Sequence, residues 1–399
     1  MNINYNDIWV TVPSYWGDYG TAENPPCIDF DHPTDLDGAE TLTRTIDSLC
    51  KLPGDFHLLV VLAVTHDEYL EKATARVREI LAPYRAKKKL HLVTPEDVGK
   101  LNAFLDDPLL SMDSYGNIRN VQLFVPYCMG SKYVIGIDDD EIIEDMRYIE
   151  KAVGGLESVD FAEGMAGPYF DRNGEFRLKG AEALGELENL YLKKNFYMNE
   201  ALKKAMAKSP EIHLNVVAFG GNMIFSRELI AHICHDPYIP RGEDYDYVIN
   251  ALMKGYGFCF HPEAGIIHLP PDSDGSQAGD NVRKLKADIR RFIYMSVKLE
   301  EHRKQFPEEE FDYTLLDPYP GAFAIDHTIL ADFGKAALKE GYPDYMQPDE
   351  ITAFIDKSVS DATERCMEFF TYRDKWVSLL KDCENHMGIK AVLKQLFIP

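Results

Sequence analysis

Three consecutive aspartates, Asp138, Asp139 and Asp140, close the apolar run YVIGIDDDEII at residues 133–143. The run has the character of a buried strand, in which residues two apart project to the same side. Asp138 and Asp140 are therefore expected to converge on one point while Asp139 faces away. Carboxylates at the carboxyl end of a strand in an open α/β sheet sit where such sheets bind ligands. A hard divalent cation suits them, because Mg²⁺ takes one or two carboxylates and fills its remaining positions with water and substrate phosphates. A calcium loop of EF-hand type starting at Asp138 fails, since its fifth and sixth positions would be Ile142 and Ile143. The competing reading is a polar helix N-terminus, where Asp caps the chain and meets the positive end of the helix dipole. On the triplet alone the two readings stand level.

A second cluster follows in FGGNMIF (219–225), RGEDYDYVINALMKGYGF (241–258) and GIIHLPP (265–271). Gly220 and Gly221 would let backbone approach a ligand closely, and Asn222 supplies an amide beside them. Glu243 and Asp244 open a helical period in which Tyr245, Val248, Ile249 and Leu252 face inward. Two acids at that position also serve as ordinary dipole compensation. His268 ends a predicted strand, where a lone histidine is as readily a satisfied core residue as a ligand.

These groups need a scaffold, and the chain is patterned for one. The first 270 residues alternate short β-rich runs with helical periods, as in an α/β domain built on a mostly parallel sheet. Strands are predicted at 8–12, 57–64, 89–93, 133–137, 161–165, 216–219, 257–260 and 265–268. Helices are predicted at 38–50, from Leu70 to Leu81, at 118–130, and from Ile142 through Met146, Ile149 and Val153 to Leu156. After the Gly-, Ser-, Pro- and Asp-rich stretch 269–280 the periods become long and helical. The expected division is 1–270 for the α/β domain and 271–399 for a mainly α-helical one.

The chain has 399 residues with 42 Lys plus Arg against 66 Asp plus Glu, a formal net charge of −24. That balance argues against a nucleic-acid or anionic-membrane partner, which would call for a basic patch. No apolar run approaches the roughly 18 residues of a membrane-spanning helix. Seven scattered cysteines without CxxC spacing fit reduced thiols, so a soluble cytoplasmic protein is expected.

The order of these segments resembles the GT-A glycosyltransferases, most closely family 2. GNIRNVQLFVPYCMGSKYVIGIDDDEIIEDMRYIEKAV (116–153) resembles that family's Ala-Arg-Asn segment, its strand, its DxD motif and the next helix. FGGNMIF is similar to its Gly-Gly-Asn segment, RGEDYDYVINALMKGYGF to its Glu-Asp helix, and GIIHLPP to the strand ending in a histidine. IWVTVPSYWG (8–17) matches the first strand and the proline after it. The resemblance covers residues 8–271. It implies a Rossmann-like GT-A fold and an enzyme, of hexosyltransferase type, moving a sugar from a nucleotide-diphosphate sugar to a hydroxyl acceptor, with inversion.

The same resemblance implies the roles. Asp138 would contact the donor ribose or the metal, Asp140 and His268 would join it in holding Mn²⁺ or Mg²⁺, and Asp244 would be the general base with Glu243 and Arg241 beside it. Pro13, Tyr15, Thr65, Asp67, Arg119, Asp138, Asp139, Gly221 and Asn222 would line the donor. Thr65 and Asp67 stand in for an acidic base-binding residue that has no clear counterpart. Arg119, Arg283, Lys284 and Lys286 are candidates for the diphosphate, weighed against solvated surface charge. Trp16, Tyr15, Tyr169 and Tyr197 are candidates for stacking on an acceptor sugar. The 269–280 stretch is expected to close over bound donor, and the C-terminal helices to shape the acceptor site, to mediate self-association, or both. The alternatives are a retaining transferase, a sugar-phosphate nucleotidyltransferase, and a non-catalytic protein whose carboxylates hold a structural cation.

Overall fold

The computed structural model describes residues 3–18, 30, 33–38, 40–270 and 278–398. Residues 271–277, at the centre of the stretch expected to close over a donor, lie outside the described residues. So do Cys27 and most of the segment between the first strand and the first helix.

The strands are β1 (Ile8–Trp16), β2 (His57–Val64), β3 (Lys89–Val93), β4 (Tyr133–Gly136), β5 (Glu141–Ile142), β6 (Gly164–Ala166), β7 (Tyr169–Phe170), β8 (His213–Leu214), β9 (Met223–Ser226), β10 (Phe258–Phe260) and β11 (Ile266–His268). The helices before the Gly/Ser-rich stretch are α1 (Glu40–Lys51), α2 (Leu70–Leu81), α3 (Pro95–Asn102), α4 (Tyr115–Cys128), α5 (Tyr148–Glu157), α6 (Lys194–Met206), α7 (Arg227–His232) and α8 (Glu243–Met253). After it come α9 (Ala278–Gln305), α10 (His327–Gly341), α11 (Pro348–Cys383) and α12 (Met387–Gln395).

Eight strands form one sheet in the order β3-β2-β1-β4-β9-β6-β10-β8, and β5-β11-β7 form a small second sheet. The pairings from β3 to β4 are parallel, as is β6 with β10. β9 runs antiparallel to both neighbours, and β8 to β10, so the sheet is mixed rather than mostly parallel in its second half. β1 is flanked by β2 on one side and β4 on the other. The chain reverses its direction of travel across the sheet there, which opens a crevice beyond the carboxyl ends of those strands.

Every residue of β1 is buried. Its alternating side chains divide between two cores: Ile8, Val10 and Val12 join Ile46 of α1, Val77 of α2 and Val153 of α5 on one face. On the other face Trp9 and Leu59 join Phe124 of α4, Val248 of α8, Ile289 of α9 and Trp376 of α11. A strand covered on both faces is apolar at every step, which is why HLLVVLAV shows no polar alternation. The C-terminal helices thus cover the second face of the sheet. Trp376 Nε1 donates to the Ile230 carbonyl at 2.9 Å, and the buried Lys298 of α9 binds Asp236 at 3.0 Å and also Asp246 of α8.

Two local expectations fail. The helix predicted from Ile142 begins only at Tyr148, because Glu141 and Ile142 pair antiparallel with His268 and Ile267. Tertiary pairing outweighs the helical period there, and it removes the reading of the aspartates as a helix cap. The strand predicted at 216–219 is absent, and β9 forms a few residues later at Met223–Ser226.

Candidate active site

A cavity of about 280 Å³ opens where β1 and β4 end. It gathers residues far apart in the chain: Tyr15 from β1, Arg119 from α4, Asp138, Asp139 and Asp140 after β4, Glu243 and Asp244 from α8, and His268 from β11. Larger clefts of about 710 and 750 Å³ lie against α11 and share none of these residues.

β4 ends at Gly136, so the triplet is a turn rather than strand, and all three aspartates face the cavity. Asp139 does not point away. Its Oδ2 accepts from Ser14 Oγ at 2.7 Å, and Ser14 in turn accepts from Trp16 Nε1 at 2.8 Å. Asp138 Oδ1 lies 2.7 Å from Arg119 Nη2, and its backbone N–H donates to Glu141 Oε2 at 2.8 Å. Burial pushes the Asp138, Asp139 and Glu141 carboxyls upward. Neighbouring acids add to this in each case, and at Asp138 the Arg119 guanidinium opposes it. Such crowding of buried acids is what a bound cation relieves.

His268 Nε2 lies 3.3 Å from Asp140 Oδ2. The β5–β11 pairing sets this contact, since it puts His268 opposite Glu141 with Leu269 N–H bonded to the Asp140 carbonyl at 2.8 Å. Burial by itself would lower the imidazole pKa, but Asp140 and then Asp138 outweigh it and the value is raised. One carboxylate oxygen and one imidazole nitrogen at this spacing fit a divalent cation whose other positions come from water and phosphate. Asp138, drawn to Arg119, is less available than the sequence suggested. A separate trio, Glu300, Asp326 and His327, brings three ligand atoms within 4.8 Å of one another outside the cavity. Asp326 Oδ1 there already accepts from the Thr328 backbone N–H at 2.7 Å as a helix cap.

On α8, Gly242 caps the helix with φ +73°, and a Cβ there would lie 2.5 Å from Arg291 Nη1. Glycine is needed both for the left-handed backbone and for that approach. Glu243 Oε1 sits 3.4 Å from Arg119 Nε, so one buried guanidinium bridges the triplet and the α8 acids. Asp244 lines the cavity with its carboxyl pushed up to about 6 by burial and Glu243, against the pull of Arg291.

Pro13, Thr65, Asp67, Gly221 and Asn222 are not among the residues lining the cavity. Pro13 is buried in β1, Thr65 Oγ1 accepts from the Asp18 N–H at 3.2 Å, and Asp67 is exposed in a turn after β2. Asn222 is a buried structural amide. Its Oδ1 accepts from Tyr148 Oη at 2.6 Å, and its Nδ2 donates to the carbonyls of Ala264 at 2.9 Å and Pro168 at 3.3 Å. Gly221 N–H donates to Tyr169 Oη at 2.6 Å, and a Cβ on it would collide with the Glu141 carboxylate at 2.0 Å. Trp16 is fully buried and Tyr169 stacks on Phe219, so neither presents a free face to a sugar. Tyr197 packs edge-on against Phe196 and Phe323 and is not a lining residue.

Arg119 is in the cavity, whereas Arg283, Lys284 and Lys286 are not, and Lys286 lies over the Phe354 ring. Sequence reasoning missed Ser14, Glu141, Lys194, Arg291 and Tyr319. Arg291 carried no sequence signal, because it lies about 100° around α9 from the stripe of Leu285, Ile289 and Phe292.

No known protein-family profile matches the chain, and no curated protein matches it. Among solved structures it is similar to the mannosyltransferase PcManGT from Pyrobaculum calidifontis in complex with GDP-Man and Mn²⁺, at 13% identity and TM-score 0.47, over 96% of this chain and 86% of that one. It is also similar to glucosyl-3-phosphoglycerate synthase from Mycobacterium tuberculosis in complex with Mn²⁺, UDP and phosphoglyceric acid, at 15% identity and TM-score 0.36, over 71% of this chain and 78% of that one. At these scores the likeness carries no functional argument.

Proposed function

We propose that the chain is a metal-dependent glycosyltransferase of GT-A type, closest in motif order to family 2, that moves a sugar from a nucleotide-diphosphate sugar to a hydroxyl acceptor with inversion. The observation that carries this reading is the joining of the Asp140–His268 pair and the Asp244 carboxylate in one cavity at the β1/β4 crevice. A metal-holding pair answers a diphosphate, and a carboxylate of raised pKa answers a hydroxyl proton.

Asp140 and His268 would hold Mn²⁺ or Mg²⁺, which when bound supplies Lewis-acid stabilisation of the departing diphosphate. Arg119 fixes Asp138 and Glu243 and offsets part of their charge. Tyr15 lines the cavity, and its buried hydroxyl has no hydrogen-bond partner among the described residues, leaving it for a ligand. Asp244 accepts the acceptor hydroxyl proton as that oxygen bonds to the anomeric carbon and the bond to the diphosphate breaks. A base near 6 is ionised at neutral pH and still basic enough to serve.

Among the described residues no helix is long and apolar enough to cross a membrane. The six described cysteines are free, which supports a reducing, cytoplasmic setting. The test is incubation with a panel of UDP- and GDP-sugars, Mn²⁺ and simple sugar acceptors. Release of nucleoside diphosphate with inverted anomeric coupling in the product is expected. Release of pyrophosphate would mark a nucleotidyltransferase, retained configuration would overturn inversion, and no binding of nucleotide with Mn²⁺ would overturn the reading itself.

A further inference from the structure

His235 and Asp236, between α7 and α8, are buried and do not line the cavity, yet their polar contacts reach three helices around it. The backbone of His235 is held by α4. Its N–H donates to Asn120 Oδ1 at 2.8 Å, and its carbonyl accepts from Asn120 Nδ2 at 2.9 Å. Asn120 directly follows Arg119, so this pair of bonds fixes His235 against the part of α4 that carries the guanidinium. The ring of His235 is held by α8. Nδ1 lies 3.2 Å from the carbonyl of Glu243, the first residue of that helix, and the ring packs on Tyr247 with centroids 4.4 Å apart. A carbonyl only accepts, so Nδ1 carries the proton. Burial and then Arg119 hold the imidazole pKa well below its usual value, against the pull of the Glu243 carbonyl, so the ring is neutral.

Asp236 is held by α9. Its Oδ2 accepts from Tyr294 Oη at 2.7 Å and from Lys298 Nζ at 3.0 Å. Lys298 also donates to Asp246 and, at 3.0 Å, to Asn250 Oδ1, both on α8. Asp236, Asp246, Asn250 and Lys298 are each no more than 2% exposed. A buried ion pair seldom stabilises more than apolar packing of equal volume would. What this one supplies is direction, since three ammonium protons must meet three fixed acceptors.

We propose that His235 is a positioning residue for the proton-accepting end of the site. It holds the first turn of α8, and with it Asp244, in register with Arg119 of α4, while α9 fixes its own place through Asp236. The inference rests on the proposed transferase reading and deepens it: the C-terminal helices help to assemble the general base as well as covering the sheet. Asp244 Oδ1 accepts from the Tyr245 N–H at 2.7 Å, so the carboxylate takes its direction from the backbone of that turn. A turn that drifts carries the carboxylate with it, and a misplacement of about 1 Å costs about 10² in rate. None of these contacts includes Asp140 or His268, so cation binding is expected to be indifferent to them.

The experiment compares His235→Ala with His235→Asn in the full chain, because the asparagine Nδ2 takes the place of the imidazole Nδ1–H. With Mn²⁺ and the donor and acceptor that show transfer, kcat is expected to fall about tenfold or more in His235→Ala. Mn²⁺-dependent UDP or GDP affinity should stay within twofold, and His235→Asn should recover most of the kcat loss. Tyr294→Phe, which removes one hydroxyl from Asp236 and nothing from α8, should lower kcat a few-fold with the same split. The double variant should lose less than the product of the two, since both act through one contact. Hydrogen exchange over residues 243–247 should quicken in His235→Ala and slow again in His235→Asn. Unchanged kcat in His235→Ala, an asparagine no better than alanine, or a kcat loss matched by lost nucleotide affinity would each overturn the proposal. Should His235→Ala not fold, Tyr294→Phe decides by the same split, and wild-type kcat there would overturn it. Absence of transfer by the wild type would sink the transferase reading alone, whereas unchanged exchange at 243–247 in His235→Ala would sink the positioning role alone.

Discussion

Arg119 Nη2 lies 2.7 Å from Asp138 Oδ1 while Nε of the same guanidinium lies 3.4 Å from Glu243 Oε1. A single cation from α4 therefore ties the turn after β4 to the first turn of α8, and the two halves of the site share one charge. Replacing it by Met leaves two acids facing each other without compensation. Truncating one partner of a buried ion pair costs about 3–5 kcal/mol; Asp138 is 26% exposed at its side chain, which moves the expectation for Arg119→Met down to about 2–4 kcal/mol. Urea unfolding measures this, and added Mn²⁺ should recover part of the loss.

The Asp140–His268 pair predicts a specific metal phenotype. Asp140→Ala and His268→Ala should each lower Mn²⁺ affinity in the presence of nucleoside diphosphate by more than an order of magnitude, read by calorimetry. The imidazole must be neutral to ligate. Its pKa is raised, so protons compete already above the usual value of about 6.5, and Mn²⁺ affinity should decline as the pH falls through that region. Unchanged affinity in both variants would remove the pair from the metal site.

Asp244 acts as a base only when ionised, and its carboxyl is pushed up to about 6. The acid limb of kcat/KM should therefore bend near pH 6: activity is full above it and falls about tenfold per unit below it, the slope of a single essential ionisation. Asp244→Asn should lower kcat by about 10²–10⁴ with donor binding retained, the usual range for loss of a positioned general base. A profile flat down to pH 4.5 would exclude this assignment.

Asn222 separates structure from binding. Asn222→Ala strips partners from the Tyr148 hydroxyl and from two carbonyls. Buried groups left unpaired cost about 1–3 kcal/mol each, so a total loss of about 2–4 kcal/mol is expected after partial relaxation. Thermal unfolding reads the loss. Nucleotide affinity of the folded protein should change less than twofold, whereas a donor-binding amide would lose far more.

Much of this architecture was legible from residue pattern. HLLVVLAV reads as a strand covered on both faces, and the period through Tyr245, Val248, Ile249 and Leu252 as a helix with Glu243 and Asp244 at its start. Both segments are long or strongly periodic, and their local preferences agree with the fold. The aspartate triplet was legible as chemistry but not as geometry. Its strand ends one residue early, at Gly136, and the helix expected after it yields to a two-residue strand, because β11 supplies backbone partners that no local window contains. Asn222 reads as a ligand amide until Tyr148, Pro168 and Ala264 converge on it from three distant segments.

The amino-acid sequence by itself determined the long, strongly patterned elements, the two-faced sheet and the acids on offer, since these follow from periodicities of two and 3.6 residues and from side-chain charge. Only the tertiary structure decided which acids are paired, that Asp140 and not Asp138 faces His268, that Arg119 bridges two segments, and that Lys194 and Arg291 enter the cavity. Those are through-space relations between residues tens to hundreds of positions apart, and electrostatic strength depends on distance and burial, neither of which is written along the chain.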